Sequence, residues 1–442
     1  MSSSQGNGLH ARPVELLQEL LRFDTTNPPG NEQACIEFIA ATLAAYGIES
    51  SLYAKDLDRP NLVARLEGGD AAPLLLYGHV DVVTTAGQDW QHPPFGGDLV
   101  DGWVWGRGSL DMKGGVAMML AAFLRARAEG VELPGDVIFM ALVDEEVGGE
   151  AGALFMVEEH PEVFEGVRYA IGEFGGFSLE TGGARFYPIM IAEKVIAWLR
   201  LHVHGPGGHG AMPMRGGTMA KVARVLELLD QNRLPAHVPA ATAAMVEGMA
   251  GGLPDVDGAV LRGLLDPSSV DATLDAMGVS GRIYEPLLHN TVNATVIGGG
   301  GKINVVPSEV TIDLDGRILP GYGPAELAAE LTGLLGDLAE IEVLQHDPPG
   351  RPEPDMGLFK NLADVLREAD PEGHPMPLIM AGATDGRFFE RLGVQTYGYL
   401  PMTLPADFDF TVYIHAADER IPAAAVEFGT DAIFDLLSRF SG

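Results

Sequence analysis

The sequence predicts an α/β protein with a smaller α+β domain inserted into it. Three observations carry this. Apolar strand-like runs alternate with helical patterns through the first part of the chain. At Lys194 the texture changes to the order strand-helix-strand-strand-helix-strand. After Pro348 the helix and apolar-strand pattern returns.

The elements read in order as follows. Residues 11–22 (ARPVELLQELLR) and 32–46 (EQACIEFIAATLAAY) carry apolar residues at helical spacing. NLVARLEG at 61–68 and APLLLYGHVD at 72–81 read as strands. DMKGGVAMMLAAFLRARAEG at 111–130 reads as an apolar helix, and DVIFMALVDEE at 136–146 and VRYAIGEFGG at 167–176 as further strands. Strands so uniformly apolar belong in a sheet covered on both faces, whose ligands gather at the carboxyl ends of the strands. From Lys194 the run KVIAWLRLHVHG alternates more. It is followed by the helix TMAKVARVLELLDQ, the strands TVNATVIGGG and EVTIDLDGRIL, the helix PAELAAELTGLLGDL and the strand EIEVLQHD. Residues 1–193 and 348–442 are therefore expected to form one domain and 194–347 the inserted one. A stretch at about 235–290, rich in Ala, Gly, Pro and Asp, is an extra segment with some helix.

The chain has 442 residues and is 46% hydrophobic, enough for two compact cores. Its formal net charge is −34, which repels nucleic acid and anionic membranes. The one cysteine, Cys35, lies in a helical apolar pattern and is expected to be a buried small hydrophobe. The start, MSSSQGNGLHARPVELL, has no basic stretch followed by an apolar core, and no run of about 18 apolar residues occurs. A cytoplasmic protein is expected. No heptads, repeats or basic patches support a scaffold role.

The polar residues that end the apolar runs are His79 and Asp81 after LLLYG, Asp111 before MKGG, Glu145 and Glu146 after ALVD, Glu173 after YAIG and His415 after TVYI. Singly, each is an ordinary residue: a histidine at a strand end is usually just hydrogen-bonded, and an acidic pair is usually solvated. Together, nitrogen and carboxylate donors without cysteine suit zinc, and also cobalt, manganese or nickel. Two such ions about 3.5–4 Å apart need a bridging carboxylate, for which Asp111 is placed. Asp81, two residues beyond His79, is expected to accept from the second ring N–H of that histidine. Carboxylates gathered at the ends of apolar strands are costly to bury, and a dication relieves that cost.

These motifs resemble the M20 family of metallopeptidases and amidohydrolases, which includes acetylornithine deacetylase, succinyl-diaminopimelate desuccinylase, aminoacylase and the glutamate carboxypeptidases. The resemblance rests on LLLYGHVDVV, DWQHPPFGGDLVDGWVWGRGSLDMKGG, VDEEVGG, AIGE, GPGGHGAMPMRG, KINVVPSEV, GATDGR and YIHAADE, in the family's order over nearly the whole chain. It implies a zinc-peptidase-like catalytic domain, a mixed sheet flanked by helices, with an inserted ferredoxin-like lid and dimerisation domain. It implies two divalent ions, zinc first, with cobalt or manganese as substitutes. His79, Asp111 and Glu173 would hold one, and Asp111, Glu146 and His415 the other. Glu145 is then the general base, and Asp81 orients His79. His209 stabilises the oxyanion, in relatives from a partner subunit, so a homodimer is expected. Asn304, Arg317, Gly382 and Thr384 match substrate-binding positions. The Asp111–Met112 peptide is expected to be cis, and hinges are expected near 193–194 and 347–348. Glutamate at position 173 leans towards a deacylase of N-acyl amino acids. The alternative is a carboxypeptidase or dipeptidase with the same centre. A non-catalytic small-molecule or metal-binding relative is disfavoured, because every ligand position and the base are present. The segment 235–290 departs from a minimal family lid and bears on whether His209 acts across a dimer.

Overall fold

The computed structural model describes residues 8–441. The chain forms two compact units. The first comprises residues 1–191, 355–378 and 384–442, and the second 192–354 and 379–383. Cys35 is fully buried in the helix Gln33–Ala45.

The main sheet is nine-stranded and mixed. Its centre is built from the apolar runs noted above. Gly135–Leu142 and Tyr169–Gly172 flank Ala71–His79, both parallel to it, with His79 opposite Leu142 and Leu76 opposite Ile171. Asn61–Leu66 pairs antiparallel outside Gly135–Leu142, and Gln395–Gly398 pairs parallel outside Tyr169–Gly172. These strands are buried on both faces, as their unbroken apolar sequences require. Three parallel neighbours thus end side by side, and the chain leaving each one carries His79, Glu145 with Glu146, and Glu173.

The helix Lys113–Glu129 lies against the strand Ala71–His79 and is buried almost all round. Its entry is fixed by glycine. A Cβ on Gly114 would sit 2.1 Å from the carbonyl oxygen of Ser109, and the Gly114 N–H donates to Gly108 O at 3.1 Å. The GG of DMKGG therefore lets the Ser109–Met112 turn close onto the helix, which sets where Asp111 points.

In the second unit, Val195–His204, Thr291–Gly299, Glu309–Ile318 and Glu340–His346 form an antiparallel sheet. The spatial order is Thr291–Gly299, Glu309–Ile318, Val195–His204, Glu340–His346. With the helices Thr218–Gln231 and Pro324–Leu335 this is the ferredoxin-like arrangement. Its core is one-sided: Leu199, Leu201, Val203, Ile312 and Leu314 pack with Leu327 and Leu331. Between Gln231 and Thr291 stand three extra helices, Ala240–Gly252, Asp255–Arg262 and Val270–Met277. The fully buried Lys194 ties down the end of this segment. Its Nζ donates at 2.9 Å to Pro286 O, His289 O and Thr291 Oγ1, and burial pushes its pKa down to about 7. No helix among the described residues is long and apolar enough to cross a membrane.

Gly114→Ala is expected to destabilise the first unit by about 1–3 kcal/mol, the usual cost of forcing a methyl group into packed structure. A lowered thermal midpoint checks it; an unchanged one would show that the turn before the helix gives way freely.

Candidate metal centre

The carboxyl ends of the three parallel strands supply most of the site. His79 is the last residue of its strand. Beyond Leu142 the chain turns through Asp144 (φ 71°) into a short 3₁₀ turn, Glu145–Val147, and Glu173 follows Gly172 directly. Asp111 enters from the turn ahead of the helix Lys113–Glu129. His415 comes from the loop after the short helix Phe410–Tyr413, at φ 61°. The Asp111–Met112 peptide is cis, as the resemblance implies, and Glu173–Phe174 is cis as well.

Two groups of donors result, His79 with Asp111 and Glu173, and Asp111 with Glu146 and His415. Within each, the donor atoms lie within 4.8 Å of one another. Asp111 belongs to both. Its Oδ1 is 3.2 Å from His79 Nε2 and its Oδ2 is 3.1 Å from His415 Nε2. Glu173 Oε2 is 3.5 Å from His79 Nε2, and Glu146 Oε2 is 3.3 Å from His415 Nε2. Glu145 belongs to neither group, with Oε2 4.0 Å from His79 Nε2.

The electrostatics reflect negative charge packed into a dry site. Burial, reinforced by Glu173, holds the Glu145 carboxyl well above its ordinary range, and burial likewise raises Glu173. Burial alone would pull His79 down, but Glu173, Asp111 and Asp81 outweigh it and hold the ring well above an ordinary histidine. Hydrogen bonds to Asp111 and Glu146 push His415 up to about 10. Against their burial, the carboxyls of Asp111 and Asp81 are held low by these imidazoles, His415 first for Asp111 and His79 for Asp81. Glu146 Oε1 is buried without a hydrogen-bond partner. An orphaned carboxylate oxygen, a shared aspartate and imidazoles that attract protons fit a pair of divalent cations, which would take the place of those protons.

Asp81 meets His79 Nδ1 through its backbone carbonyl and through its carboxylate. Asp81 lies just beyond the end of the strand Ala71–His79. His79 Nδ1 is 3.0 Å from the backbone carbonyl of Asp81 and 3.5 Å from its carboxylate. The carboxylate also accepts from the N–H groups of Glu145 (3.2 Å) and Glu146 (3.1 Å) and from Asn27 Nδ2 (2.9 Å). It thus fixes the turn that carries both glutamates.

Several supporting residues stand outside the predicted set. Fully buried Glu419 accepts from the N–H groups of Gly108, Leu110 and Asp111 at 3.1, 2.8 and 3.2 Å, and pairs with buried Arg107 at 2.5 Å. Asn27 links Asp81 to Asp144, and Arg59 pairs with Asp144 (2.9 Å) and Glu32 (2.6 Å). Asp385, inside GATDGR, is buried with both carboxylate oxygens unpartnered, and burial pushes it up to about 7. Glu419 was within reach of sequence reading, as the acid that closes YIHAADE.

The remaining predicted positions lie elsewhere. Thr384 belongs to the first unit, buried, with Oγ1 accepting from Gly386 N. His209, Asn304, Arg317 and Gly382 belong to the second unit. There a two-residue ribbon, Gly208–His209 against Val305–Val306, brings His209 beside Asn304, whose carbonyl accepts from Gly210 N. Arg317 is already paired, Nε at 3.0 Å from Asp315 of its own strand.

Comparison with known proteins gives the same picture. Aminoacylase-1 of Sus scrofa is 24% identical over 465 aligned residues, covering 99% of this chain and 97% of its own. A probable carboxypeptidase S-like 2 of Dictyostelium discoideum is 28% identical, covering 82% of this chain and 70% of its own. The human N-fatty-acyl-amino acid synthase/hydrolase is also 28% identical, covering 84% and 75%. Among solved structures, an M20 family metallo-carboxypeptidase from Sulfolobus solfataricus superposes with a TM-score of 0.70 at 18% identity, covering 96% and 98%, so the fold is shared. The model of peptidase family M20/M25/M40 matches residues 75–439, and this chain belongs to that family.

Proposed function

We propose that this protein is a dinuclear metal-dependent amidohydrolase that removes the acyl group from an N-acyl amino acid, with zinc as its native metal. The observation that carries the reading is Asp111, whose two oxygens are shared between two donor groups while Glu145 stands beside them and outside both. His79, Asp111 and Glu173 hold one cation and Asp111, Glu146 and His415 the other. Bound there, the pair supplies Lewis acidity for the scissile carbonyl and for a water molecule. The protein's own work is proton transfer and placement. Glu145 takes a proton from the attacking water and delivers it to the leaving amine, a task suited to a carboxylate whose proton affinity burial has raised. Asp81 keeps Glu145 in place through its backbone N–H.

From the inserted domain, acting as a lid, His209 stabilises the developing oxyanion, and Asn304 and Arg317 hold the substrate with Gly382 and Thr384. Arg317 exchanges its pairing with Asp315 for the substrate carboxylate. We further read the enzyme as a cytoplasmic homodimer formed through the inserted domain, with hinges at its two connections.

Support for a deacylase comes from Glu173 and from relatives named for acyl amino acids, aminoacylase-1, the N-fatty-acyl-amino acid hydrolase and succinyl-diaminopimelate desuccinylase. A carboxypeptidase or dipeptidase is the second reading. It is favoured by the carboxypeptidase-like relative and by the fold shared with a solved carboxypeptidase and a carnosine dipeptidase.

Three outcomes are expected. N-acetyl, N-succinyl and N-formyl amino acids, offered to zinc-, cobalt- or manganese-loaded enzyme beside a dipeptide panel, are turned over in preference; turnover of dipeptides alone would move the protein to the second reading. Glu145→Gln lowers kcat by about 10²–10⁴-fold while metal content stays at the wild-type level, since it removes the proton carrier and no ligand. Glu419→Gln leaves Arg107 buried without a counter-charge, at a cost of about 3–5 kcal/mol. It should lower both the melting temperature and metal retention on dialysis. Full retention at a lowered melting temperature would show that Glu419 does not position Asp111.

A further inference from the structure

The sheet of the second unit packs one face beneath its helices and leaves the other open. On Val195–His204, Leu199, Leu201 and Val203 point into the core, so His202 and His204 fall on the open face with the strand's two-residue period. His204 is exposed and stands directly across the antiparallel ladder from Glu309. The two imidazole rings are nearly parallel, with centroids 6.2 Å apart and 9° between planes. His202 Nδ1 lies 2.8 Å from Glu309 Oε1, and its Nε2 lies 2.8 Å from Glu342 Oε2 on the strand at the other side. One donor atom from each of His202, His204 and Glu309 falls within 4.8 Å of the others.

The geometry points to a separate surface site for a borderline divalent cation, zinc in the first instance, held by His202, His204 and Glu309 with Glu342 as the outer carboxylate. Four features support it. Two imidazoles and one carboxylate are a donor set that zinc accepts, with water completing a tetrahedron. Donor atoms each about 2.0–2.1 Å from a tetrahedral ion are about 3.3 Å apart, so closing from the present spacing needs only rotation of partly exposed side chains. A metal-binding histidine almost always gives its other ring N–H to a carboxylate, and the Nε2 of His202 already meets Glu342 while Nδ1 faces the site. The chain's net charge of −34 draws cations to its surface. The competing account is an imidazolium at His202 bridging two carboxylates. It explains Glu309 and Glu342 and leaves His204 only a through-space attraction to Glu309, although its ring lies alongside that of His202. The site uses none of the residues of the Asp111 centre and does not rest on the proposed reaction.

The test is zinc content. The full chain is stripped with chelator, dialysed against micromolar free zinc, and its zinc per chain is counted by mass spectrometry. The comparison is with His204→Ala and the double variant His202→Ala/His204→Ala, with circular dichroism and melting as checks on folding. The double variant is expected to hold one zinc fewer per chain than wild type, whatever number the Asp111 centre takes up. Glu342→Gln should keep the site but weaken it by about 10–100-fold. Equal zinc in wild type and double variant would reduce the cluster to an ion pair, and wild-type affinity in His204→Ala would remove that residue as a ligand; either result overturns the proposal.

Discussion

Like charge held together out of water is the constraint on which the rest of the first unit depends. Asp111, Glu145, Glu146, Glu173 and Asp385 converge at the ends of strands with almost no polar residue inside them. Two unit charges 4 Å apart repel by about 4 kcal/mol even at an effective dielectric of 20. Against five carboxylates stand two imidazoles and, beside Asp385, the buried Arg387, and both imidazoles bind protons more tightly than a free histidine. Such a cluster persists only if the backbone around it is fixed by something other than the cluster itself.

That support comes from a layer of hydrogen-bonded polar groups behind the site. The Asp81 carboxylate gathers the N–H groups of Glu145 and Glu146, and the Glu419 carboxylate gathers those of Gly108, Leu110 and Asp111. Each is balanced from behind, Asp81 by Asn27 and Glu419 by Arg107. Charged carboxylates accepting several backbone N–H groups make strong, directional hydrogen bonds. They hold the turns by their peptide groups and leave the side chains of Asp111, Glu145 and Glu146 free to face the site.

Much of this was legible in the sequence because it is local. An apolar run that stops at a histidine or an acid announces both a buried strand and the polar group at its end, and His79, Glu145, Glu146 and Glu173 fall into place on that pattern. The order of strands and helices between residues 195 and 346 was legible for the same reason, as it is written in the periodicity. The supporting layer was not. Asn27 reaches Asp144 across 117 positions and Glu419 reaches Gly108 across 311, and no period or spacing records such a pairing. Nor was the second duty of Asp81, whose carboxylate gathers N–H groups 64 and 65 positions away.

The two imidazole clusters show two ways in which a strand presents histidine, with different physical consequences. At a strand end, as with His79, the ring is buried and immobile, and each strand contributes a single donor. Assembling a centre then takes several strands and loops, and the donors are set before any ligand arrives. On a strand face, as with His202 and His204, one short segment supplies two donors by period alone and a neighbour supplies the third. Those side chains touch water and must give up rotamer freedom on binding, which costs about 0.5–1.5 kcal/mol for each one immobilised. A buried centre of the first kind suits chemistry, where geometry has to be ready before the substrate. An open one of the second kind suits reversible occupancy that follows the free metal concentration. A single chain that carries both donor arrangements, in separate units, would meet one cation as a permanent part and another as a passing ligand.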